Sequence, residues 1–293
     1  MDPFVLVFKD IYIYPCDTFV RCRLVRTVGT KTRMDSVIET RGLTKRFGRF
    51  TAVDHINLSV LKGEIFGFLG PNGAGKSTVI RMLTTLSEPS EGTATVGGYD
   101  IVTQADQVRR IIGLVAEKLI VYPRLSAVEN LMFFGELYGL DRSQLKDRAE
   151  KLLRMVQLEQ FKDMPVGGYS SGMRQRVNII RGLLHDPEIL FMDEPTALLD
   201  PQSIRFVRDL VKELNQDGKT IILTTHIMEE ADELSHRICI IDHGKIIAVE
   251  TPGKLKSKFG CQTLEEVFLK LTGRALRDSA SNQVPMRRVM GRV

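Results

Sequence analysis

The segment GPNGAGKST, residues 70–78, has the composition of a loop that wraps phosphate groups. It fits the pattern G-x-x-x-x-G-K-[ST] and lies between an apolar run and a helical pattern. Its glycines let the backbone approach phosphates closely. Lys76 supplies a cation for the β- and γ-phosphates, and Ser77 supplies a hydroxyl for Mg²⁺. The residues expected to hold a nucleoside triphosphate are Gly70, Pro71, Asn72, Gly73, Ala74, Gly75, Lys76, Ser77 and Thr78.

Two carboxylates end an apolar segment further along the chain, EILFMDEP, residues 188–195. The apolar run predicts a buried strand, which would place both acids at its carboxyl end. There Asp193 can hold Mg²⁺ through a water molecule, and Glu194 can act as the general base on an attacking water. An apolar strand followed by two acids is common, but its position downstream of a phosphate loop favours this catalytic interpretation.

A histidine ends the next predicted strand, KTIILTTH, residues 219–226. Open α/β sheets bind their ligands at the carboxyl ends of the strands. His226 is therefore expected beside the strand ends that carry Asp193 and Glu194, within reach of a γ-phosphate. The ordinary alternative is a histidine with a structural role or none.

A second candidate anion site lies in YSSGMRQRV, residues 169–177, where a serine-rich turn leads into a helix. Such a turn presents backbone N–H groups and the positive end of a helix dipole, both of which suit an anion. The chain thus carries two turns suited to phosphate, about 95 residues apart.

Two phenylalanines have positions that allow more than one interpretation. Phe47, in LTKRFGRF, is either a core residue or a ring face for a nucleobase. Phe133 lies off the apolar stripe of the helix SAVENLMFFGELYG and beside Glu129, Asn130 and Glu136. An aromatic residue on a polar face suggests a groove for a short helix of a partner, and packing against the next helix is the alternative.

The elements that must position these residues alternate between strand and helix, which predicts an α/β fold with a mostly parallel sheet. AVDHINLSV, residues 52–60, alternates apolar and polar residues, as a half-buried antiparallel strand does. The block at about 119–183 has only helical patterns and reads as an inserted helical subdomain. Its first helix opens with Ser126 and Glu129 in a capping-box arrangement.

The pattern also divides the chain into four parts. Residues 1–34 form an N-terminal extension, which is either a β-rich appendage, a disordered segment or sequence upstream of a true start at Met34. Residues 35–250 form the patterned domain. Residues 251–275 form a C-terminal helical extension, and 276–293 a loose basic tail.

The net charge of +5 does not indicate a nucleic-acid groove, because it sits at the two ends of the chain. Residues 1–34 hold six Lys/Arg and three Asp, and residues 274–293 hold five Arg and one Asp, so the middle carries −2. We expect no nucleic-acid partner. The four cysteines lack metal-site spacing, and no apolar run approaches the roughly 18 residues of a membrane span. A cytosolic protein with reduced thiols is expected.

The order of phosphate loop, serine–glycine turn, two-acid strand and terminal histidine resembles the ATP-binding subunits of ABC transporters. The resemblance covers about residues 35–275. It implies a P-loop NTPase core with a mostly parallel sheet, an N-terminal antiparallel β subdomain and an inserted α-helical subdomain. It also implies that ATP and Mg²⁺ are the cofactors, that Phe47 stacks on adenine, and that His226 is the switch histidine.

The same resemblance implies a function for the second turn. YSSGMRQRV occupies the place of the family's signature, usually written LSGGQ, which in that family caps the γ-phosphate bound to a partner subunit. Two subunits pair head to tail around ATP. The residues that the resemblance places in this role are Ser170, Ser171 and Gly172, with Asp200 in ALLDP signalling between the two sites.

The C-terminal third looks most like the drug-resistance and sodium-export branch of type 2 ABC exporters. The resemblance implies a separate membrane-spanning permease subunit, a second ATP-binding subunit that we expect to be another copy of this chain, and a peripheral position on the cytoplasmic face of the cell membrane. The transported substrate is not encoded in this chain.

The chain departs from the family pattern at three places. The signature has Ser171 for its first glycine and Met173 for its glutamine, and Leu198 replaces a common glycine near Asp200. Glu117 ends IGLVAE where the family usually has a glutamine that touches Mg²⁺ and the attacking water. Glu117 is therefore expected at the metal, as a catalytic residue, or else directed to solvent or to the membrane subunit.

The sequence lacks the features of two other functions. A soluble ABC-type ATPase acting on ribosomes or DNA usually has two such domains or long coiled-coil insertions, and this chain shows neither pattern. A GTP switch needs the guanine-selecting sequence N-K-x-D, which is absent. Export powered by ATP hydrolysis is the favoured function.

Overall fold

The computed structural model describes residues 6–8, 11–13 and 36–273 of the chain. The strands are β1 (Leu6–Phe8), β2 (Ile11–Ile13), β3 (Ser36–Phe47), β4 (Phe50–Leu61), β5 (Ile65–Leu69), β6 (Glu91–Val96), β7 (Tyr99–Asp100), β8 (Ile112–Val115), β9 (Ile189–Asp193), β10 (Thr220–Thr225), β11 (Arg237–Asp242) and β12 (Lys245–Glu250).

The helices lie between and after these strands. They are α1 (Lys76–Leu83), α2 (Ala105–Ile111), α3 (Ala127–Leu137), α4 (Arg142–Met155), α5 (Ser171–Gly182), α6 (Pro201–Gln216), α7 (Met228–Leu234), α8 (Pro252–Phe259) and α9 (Leu264–Thr272), with short 3₁₀ turns at Glu159–Phe161 and Val166–Gly168.

A six-stranded sheet in the order β12-β11-β5-β10-β9-β8 forms the centre of the domain. All its pairings are parallel except that of β11 with β12, so the predicted mostly parallel sheet is confirmed. Every residue of β5, β9 and β10 is buried, because the sheet is covered on both faces. Its parallel strands place the ends of β5, β9 and β10 along one edge, where the phosphate loop, Asp193 and His226 follow.

Side chains from alternate positions of this sheet enter two different cores. Leu190 and Leu223 join a core shared with helices α3 to α6, whereas Phe191 and Ile222 join a core shared with α1 and the second sheet. The helical block and the pair formed by α1 and the second sheet are therefore packed on opposite faces of one layer.

The second sheet is antiparallel, with the strand order β4-β3-β6-β7. The predicted strand at 52–60 lies within β4, and this antiparallel β subdomain is confirmed. Its neighbour β3 was not predicted from the sequence. Gly42 in β3 has a left-handed backbone (φ 58°), and the pairing of β3 with β4 shifts register several times, so the side chains do not alternate regularly.

The predicted helical block contains α3, α4 and α5. The predicted capping box is present, because Ser126 accepts from the N–H of Glu129 and Glu129 accepts from the N–H of Ser126. The helices begin at Ala127, not at 119, and α5 packs on β8 of the central sheet. Asn130 is not on the polar face as expected: it is buried, and its amide binds Tyr122 and Ser126.

The C-terminal extension consists of α8 and α9, which pack against the side of the sheet formed by Leu69 and Ile240. The second of these helices, α9, ends at Thr272, where Gly273 adopts a left-handed conformation (φ 65°). Most of the extension at 1–34, residues 274–275 of the C-terminal extension and the tail at 276–293 lie outside the described residues. Of the N-terminal extension, β1 and β2 pair antiparallel. No helix in the described ranges is both long and apolar enough to cross a bilayer.

Candidate functional site

The phosphate loop is held open by two glycines and by the packing around them. Gly73 and Gly75 both have left-handed backbones, with φ of 81° and 106°. A Cβ on Gly75 would lie 2.6 Å from the carbonyl oxygen of Ala52, so only glycine fits there. Gly75 precedes the first residue of α1, and no side chain caps this helix start. The first-turn N–H groups are thus directed at the loop, as an anion site requires.

Lys76 is buried at the start of α1 and is held by the loop itself. Its Nζ donates to the carbonyl oxygens of Gly70 at 2.8 Å and Pro71 at 3.2 Å. The same Nζ lies 3.3 Å from Oε1 of Glu194, which is also mostly buried. The cation predicted to meet phosphate and the predicted base therefore form an ion pair.

Asp193 and Ser77 meet at the end of β9. The Ser77 hydroxyl donates to Oδ1 of Asp193 at 3.1 Å, and the Thr224 hydroxyl donates to the same oxygen at 2.5 Å. Burial raises the pKa of Asp193, and the charge of Glu194 adds to that rise, whereas the two hydroxyls act against it. The Asp193 carboxylate and the Ser77 hydroxyl are hard oxygen ligands, and burial disfavours the negative charge of the carboxylate. Both properties suit a divalent cation such as Mg²⁺.

Glu194 follows on a strained backbone, with φ of 48°. Its N–H is held by the carbonyl oxygen of Thr224 at 3.2 Å and by the Thr224 hydroxyl at 3.0 Å. Thr224 was not predicted as a site residue. The parallel register pairs it with Asp193, so a correct alignment of β10 with β9 would have indicated it.

His226 lies beside the base, as expected from the strand ends. Its Nδ1 is 3.0 Å from Oε2 of Glu194. Burial would raise the pKa of Glu194, but the hydrogen bond to His226 and the charge of Lys76 outweigh it, so that pKa lies below its ordinary value. The same hydrogen bond raises the pKa of His226 above its ordinary value. Glu194 is thus ionised and held between the Lys76 ammonium and the His226 ring.

The second turn is built differently and stands apart. Ser170 caps α5 by accepting from the N–H of Met173 at 3.2 Å, and Ser170 and Ser171 are exposed. A Cβ on Gly172 would lie 2.0 Å from the Ser203 hydroxyl oxygen in α6. Within the described part of the chain, no hydrogen bond joins this turn to the loop at 70–78.

Asp200 caps α6, the helix against which Gly172 packs. It accepts from the N–H of Ser203 at 2.9 Å and from the Ser203 hydroxyl at 2.7 Å. Two residues earlier, Leu198 has a left-handed backbone (φ 60°) and a side chain that is 99% exposed. The left-handed backbone gives a physical reason for the glycine that resembling proteins commonly have there.

Phe47 is 55% exposed at the tip of the β3–β4 hairpin, close to Phe50, which is 64% exposed. The alternative that Phe47 belongs to the core is therefore wrong. The Lys45 ammonium lies 5.3 Å from the centre of the Phe47 ring. The exposed Phe47 ring is accessible for stacking on a nucleobase.

Glu117 is exposed just beyond the end of β8. Helix α5 holds the chain immediately before it, because Asn178 donates to the carbonyl oxygen of Ala116 at 3.2 Å and Arg181 donates to that of Leu114 at 2.8 Å. The loop that carries Glu117 is therefore anchored to the same helix that begins at Ser171.

Phe133 is 38% exposed, and its ring meets Tyr122 edge-on, with the ring centres 5.0 Å apart. Leu119, in the loop that follows Glu117, is 40% exposed. We call Leu119, Tyr122 and Phe133 the aromatic surface. It lies on the helical block beside the Glu117 loop.

The model of one protein family, described as ABC transporter, matches residues 53–197 of this chain. The linearmycin resistance ATP-binding protein of Bacillus subtilis (strain 168) is 43% identical over 228 residues, which cover 78% of this chain and 73% of that protein. The Nod factor export ATP-binding protein I of Cupriavidus metallidurans (strain CH34) is 42% identical over 233 residues, which cover 79% of this chain and 77% of that protein.

The same likeness extends to solved structures. A dimeric ATP-binding cassette in a post-hydrolysis state, bound to ADP and Pi, matches with a TM-score of 0.66 and 30% sequence identity. The match covers 73% of this chain and 98% of that one. The fold, the site geometry and the sequence likeness thus all indicate the same protein family.

Proposed function

This chain belongs to the ABC transporter family as an ATP-binding subunit of the resistance and export type, and on that premise we propose which of its residues bind, hydrolyse and sense ATP. The chain is an ATPase that dimerises around ATP and powers export. The comparisons give no support to the alternative of an ATPase acting on ribosomes or DNA.

The observation that carries the catalytic proposal is the position of Glu194 between Lys76 at 3.3 Å and His226 at 3.0 Å. Phosphate oxygens compete with Glu194 for the Lys76 ammonium when ATP enters the loop. Glu194, ionised because its pKa is low, then accepts a proton from the attacking water. His226 orients Glu194 through the hydrogen bond between them, which also raises the pKa of His226 above its ordinary value.

Ser77 and Asp193 are the residues that would hold Mg²⁺, since their oxygens already lie 3.1 Å apart. When bound, Mg²⁺ neutralises charge on the phosphate oxygens. Among the described residues there is no cluster of three or more His, Cys, Asp or Glu side chains suited to a metal. This fits Mg²⁺, which usually takes one or two protein ligands and completes its shell with phosphates and water.

The turn at Ser170–Gly172 is proposed to bind the ATP of a second copy of this chain, with Asp200 at the same face. The dimeric ADP- and Pi-bound relative supports binding in trans. The close approach of Gly172 to Ser203 supports a role that the signature turn and Asp200 share. A shift of the start of α5 would displace the start of α6, which Asp200 caps.

A membrane-spanning permease subunit is the proposed second partner, which would place this chain peripherally at the cytoplasmic face of the membrane. The aromatic surface supports this docking site, because it exposes apolar rings beside the Glu117 loop. A short helix of the permease could lie on Phe133. The export and resistance relatives are named as ATP-binding proteins, which implies a separate transport subunit.

The substitution Ser171→Glu tests binding in trans. Ser171 is exposed in the first turn of α5, where a negative charge suits the helix dipole, so the fold should tolerate it. The added charge should repel a partner's γ-phosphate. In a Glu194→Gln background, Ser171→Glu should leave ATP affinity unchanged and abolish ATP-dependent dimerisation, measured by light scattering after gel filtration.

Ser143→Glu is the matched control, because Ser143 is an exposed serine in the first turn of α4. It should not affect dimerisation. A loss of ATP affinity in the Ser171→Glu monomer would show that the turn serves its own chain, and unaltered dimerisation would show that it does not meet phosphate at all.

Glu117 is proposed to make ATP binding unusually dependent on divalent metal. A carboxylate near the γ-phosphate is repulsive unless a cation stands between them, whereas an amide is not. Because Glu117 is exposed, water screens the repulsion; at about 5 Å in a water-like dielectric it corresponds to about fourfold in affinity. Glu117→Gln should strengthen metal-free ATP binding by about that factor and reduce the gain on adding Mg²⁺.

The measurement is ATP affinity by fluorescence titration with Mg²⁺ and with EDTA, for the parent and for Glu117→Gln. Glu136→Gln, an equivalent change at an exposed glutamate of α3, controls for net charge. If Glu117→Gln and Glu136→Gln behave alike in both buffers, Glu117 does not lie at the metal.

A further inference from the structure

Directly behind the catalytic pair lies a carboxylate that the mechanism has not used. Glu230, in α7, is completely buried. Its Oε1 accepts a hydrogen bond from the Thr196 hydroxyl at 2.8 Å and lies 3.9 Å from Nε of Arg208. Burial raises the pKa of Glu230, and the hydroxyls of Thr225 and Thr196 act against that rise. The hydrogen bond from Thr196 therefore ties Glu230, and with it α7, to the segment that follows Glu194.

The two residues of this hydrogen bond are close sequence neighbours of the catalytic residues. Thr196 lies two residues after Glu194, at the start of the segment that leads to Asp200. Glu230 lies four residues after His226, in the first turn of α7. One buried hydrogen bond thus joins the two chain segments whose catalytic side chains meet at 3.0 Å.

Packing alone does not account for this arrangement. Glu230 Oε2 and Arg208 Nε are buried with no hydrogen-bond partner, so the ion pair is incompletely satisfied. A buried ion pair of this kind is often no more stabilising than apolar residues of the same volume. What an apolar side chain could not supply is an acceptor that fixes the Thr196 hydroxyl.

We propose that Glu230 is a positioning residue that sets the contact between Glu194 and His226 by tying the Thr196 hydroxyl to α7, the helix that follows His226. The inference rests on the proposed roles of Glu194 and His226. It adds that the segment carrying Asp200 and the strand carrying His226 are joined behind the site, so neither moves without the other.

Glu230→Met removes the acceptor and keeps a side chain of similar length, and Thr196→Val keeps the size and removes the donor. Both should lower kcat for ATP hydrolysis by about ten- to a hundredfold, because a small misplacement of catalytic groups has effects of this size. ATP affinity should stay within about twofold, since neither residue faces the phosphate loop. Thr196→Ser, which restores the hydroxyl, should recover most of kcat.

The controls are two equally buried residues of the same types away from the site. Glu64→Met changes a buried glutamate paired with Arg237, and Thr40→Val changes a buried threonine that donates to Ile56. Both should leave kcat within about twofold of the parent. Melting temperatures are recorded for every variant, so that a loss of folded protein is separated from a loss of rate.

A double-mutant cycle separates positioning from a general structural role. In a His226→Ala background, Glu230→Met should have little further effect on the residual rate, because the contact it sets no longer exists. Independent, multiplicative losses would overturn the proposal, as would a parental kcat for Glu230→Met or a Thr196→Ser variant as slow as Thr196→Val. If the parent itself fails to hydrolyse ATP, the proposed function fails, which is a distinct result.

Discussion

Replacing Glu194 by glutamine should stop ATP hydrolysis while leaving ATP binding intact. Glutamine has nearly the same size and can keep a hydrogen bond to His226, but it cannot accept a proton from water. The loss of a general base lowers rates by about 10²- to 10⁴-fold. Because ATP is bound but not consumed, the variant should accumulate as an ATP-dependent dimer.

The experiment compares kcat, ATP affinity and molar mass with and without ATP. Glu188→Gln is the matched control, since Glu188 is an exposed glutamate at the opposite end of β9 and should leave all three quantities unchanged. Hydrolysis by Glu194→Gln at the parental rate would show that another group is the base. Stalled hydrolysis without a dimer would contradict ATP-driven pairing.

Lys76→Ala should abolish tight ATP binding. Lys76 Nζ is the buried cation of the phosphate loop, and hydrogen bonds to charged groups contribute about 1.5–3 kcal/mol each. The loss of one such bond weakens binding by about ten- to a hundredfold. The variant also removes the cation 3.3 Å from Glu194, so the pKa of Glu194 should rise toward its ordinary value.

Lys76→Arg distinguishes charge from shape in the same experiment. The side chain is 4% exposed between two carbonyl oxygens, so a planar guanidinium has no room there and should not rescue ATP binding. Lys62→Ala, at an exposed lysine just before β5, is the control. An ATP dissociation constant unchanged by Lys76→Ala would refute the assignment of this loop.

The main site could be predicted from the sequence because its parts follow strand ends. The phosphate loop, Asp193 and His226 each come directly after an apolar run, and parallel strands bring such ends to one edge. The contact of Glu194 with His226 follows from that rule. Its partners Thr224 and Glu230 do not, because their roles depend on strand register and on the packing of α7.

The helices that could not be predicted from the sequence share one physical reason. Helices α2, α7 and α8 have only seven or eight residues, too few for a clear helical period, and such helices are stabilised by tertiary packing. Asn130 was placed on the wrong face because a buried amide is polar in sequence, whereas its hydrogen bonds to Tyr122 and Ser126 belong to the folded chain.

We expect Leu198 to make dimerisation of this chain sensitive to temperature. In the free subunit its side chain is almost wholly in water, and its backbone is held in a conformation that glycine adopts more easily. In a head-to-tail pair that covers the Asp200 segment, burial of a leucine side chain contributes up to about 1.5–3 kcal/mol. Hydrophobic association weakens on cooling. Cold therefore opposes the closed state of this chain more than that of a relative with glycine at the same position.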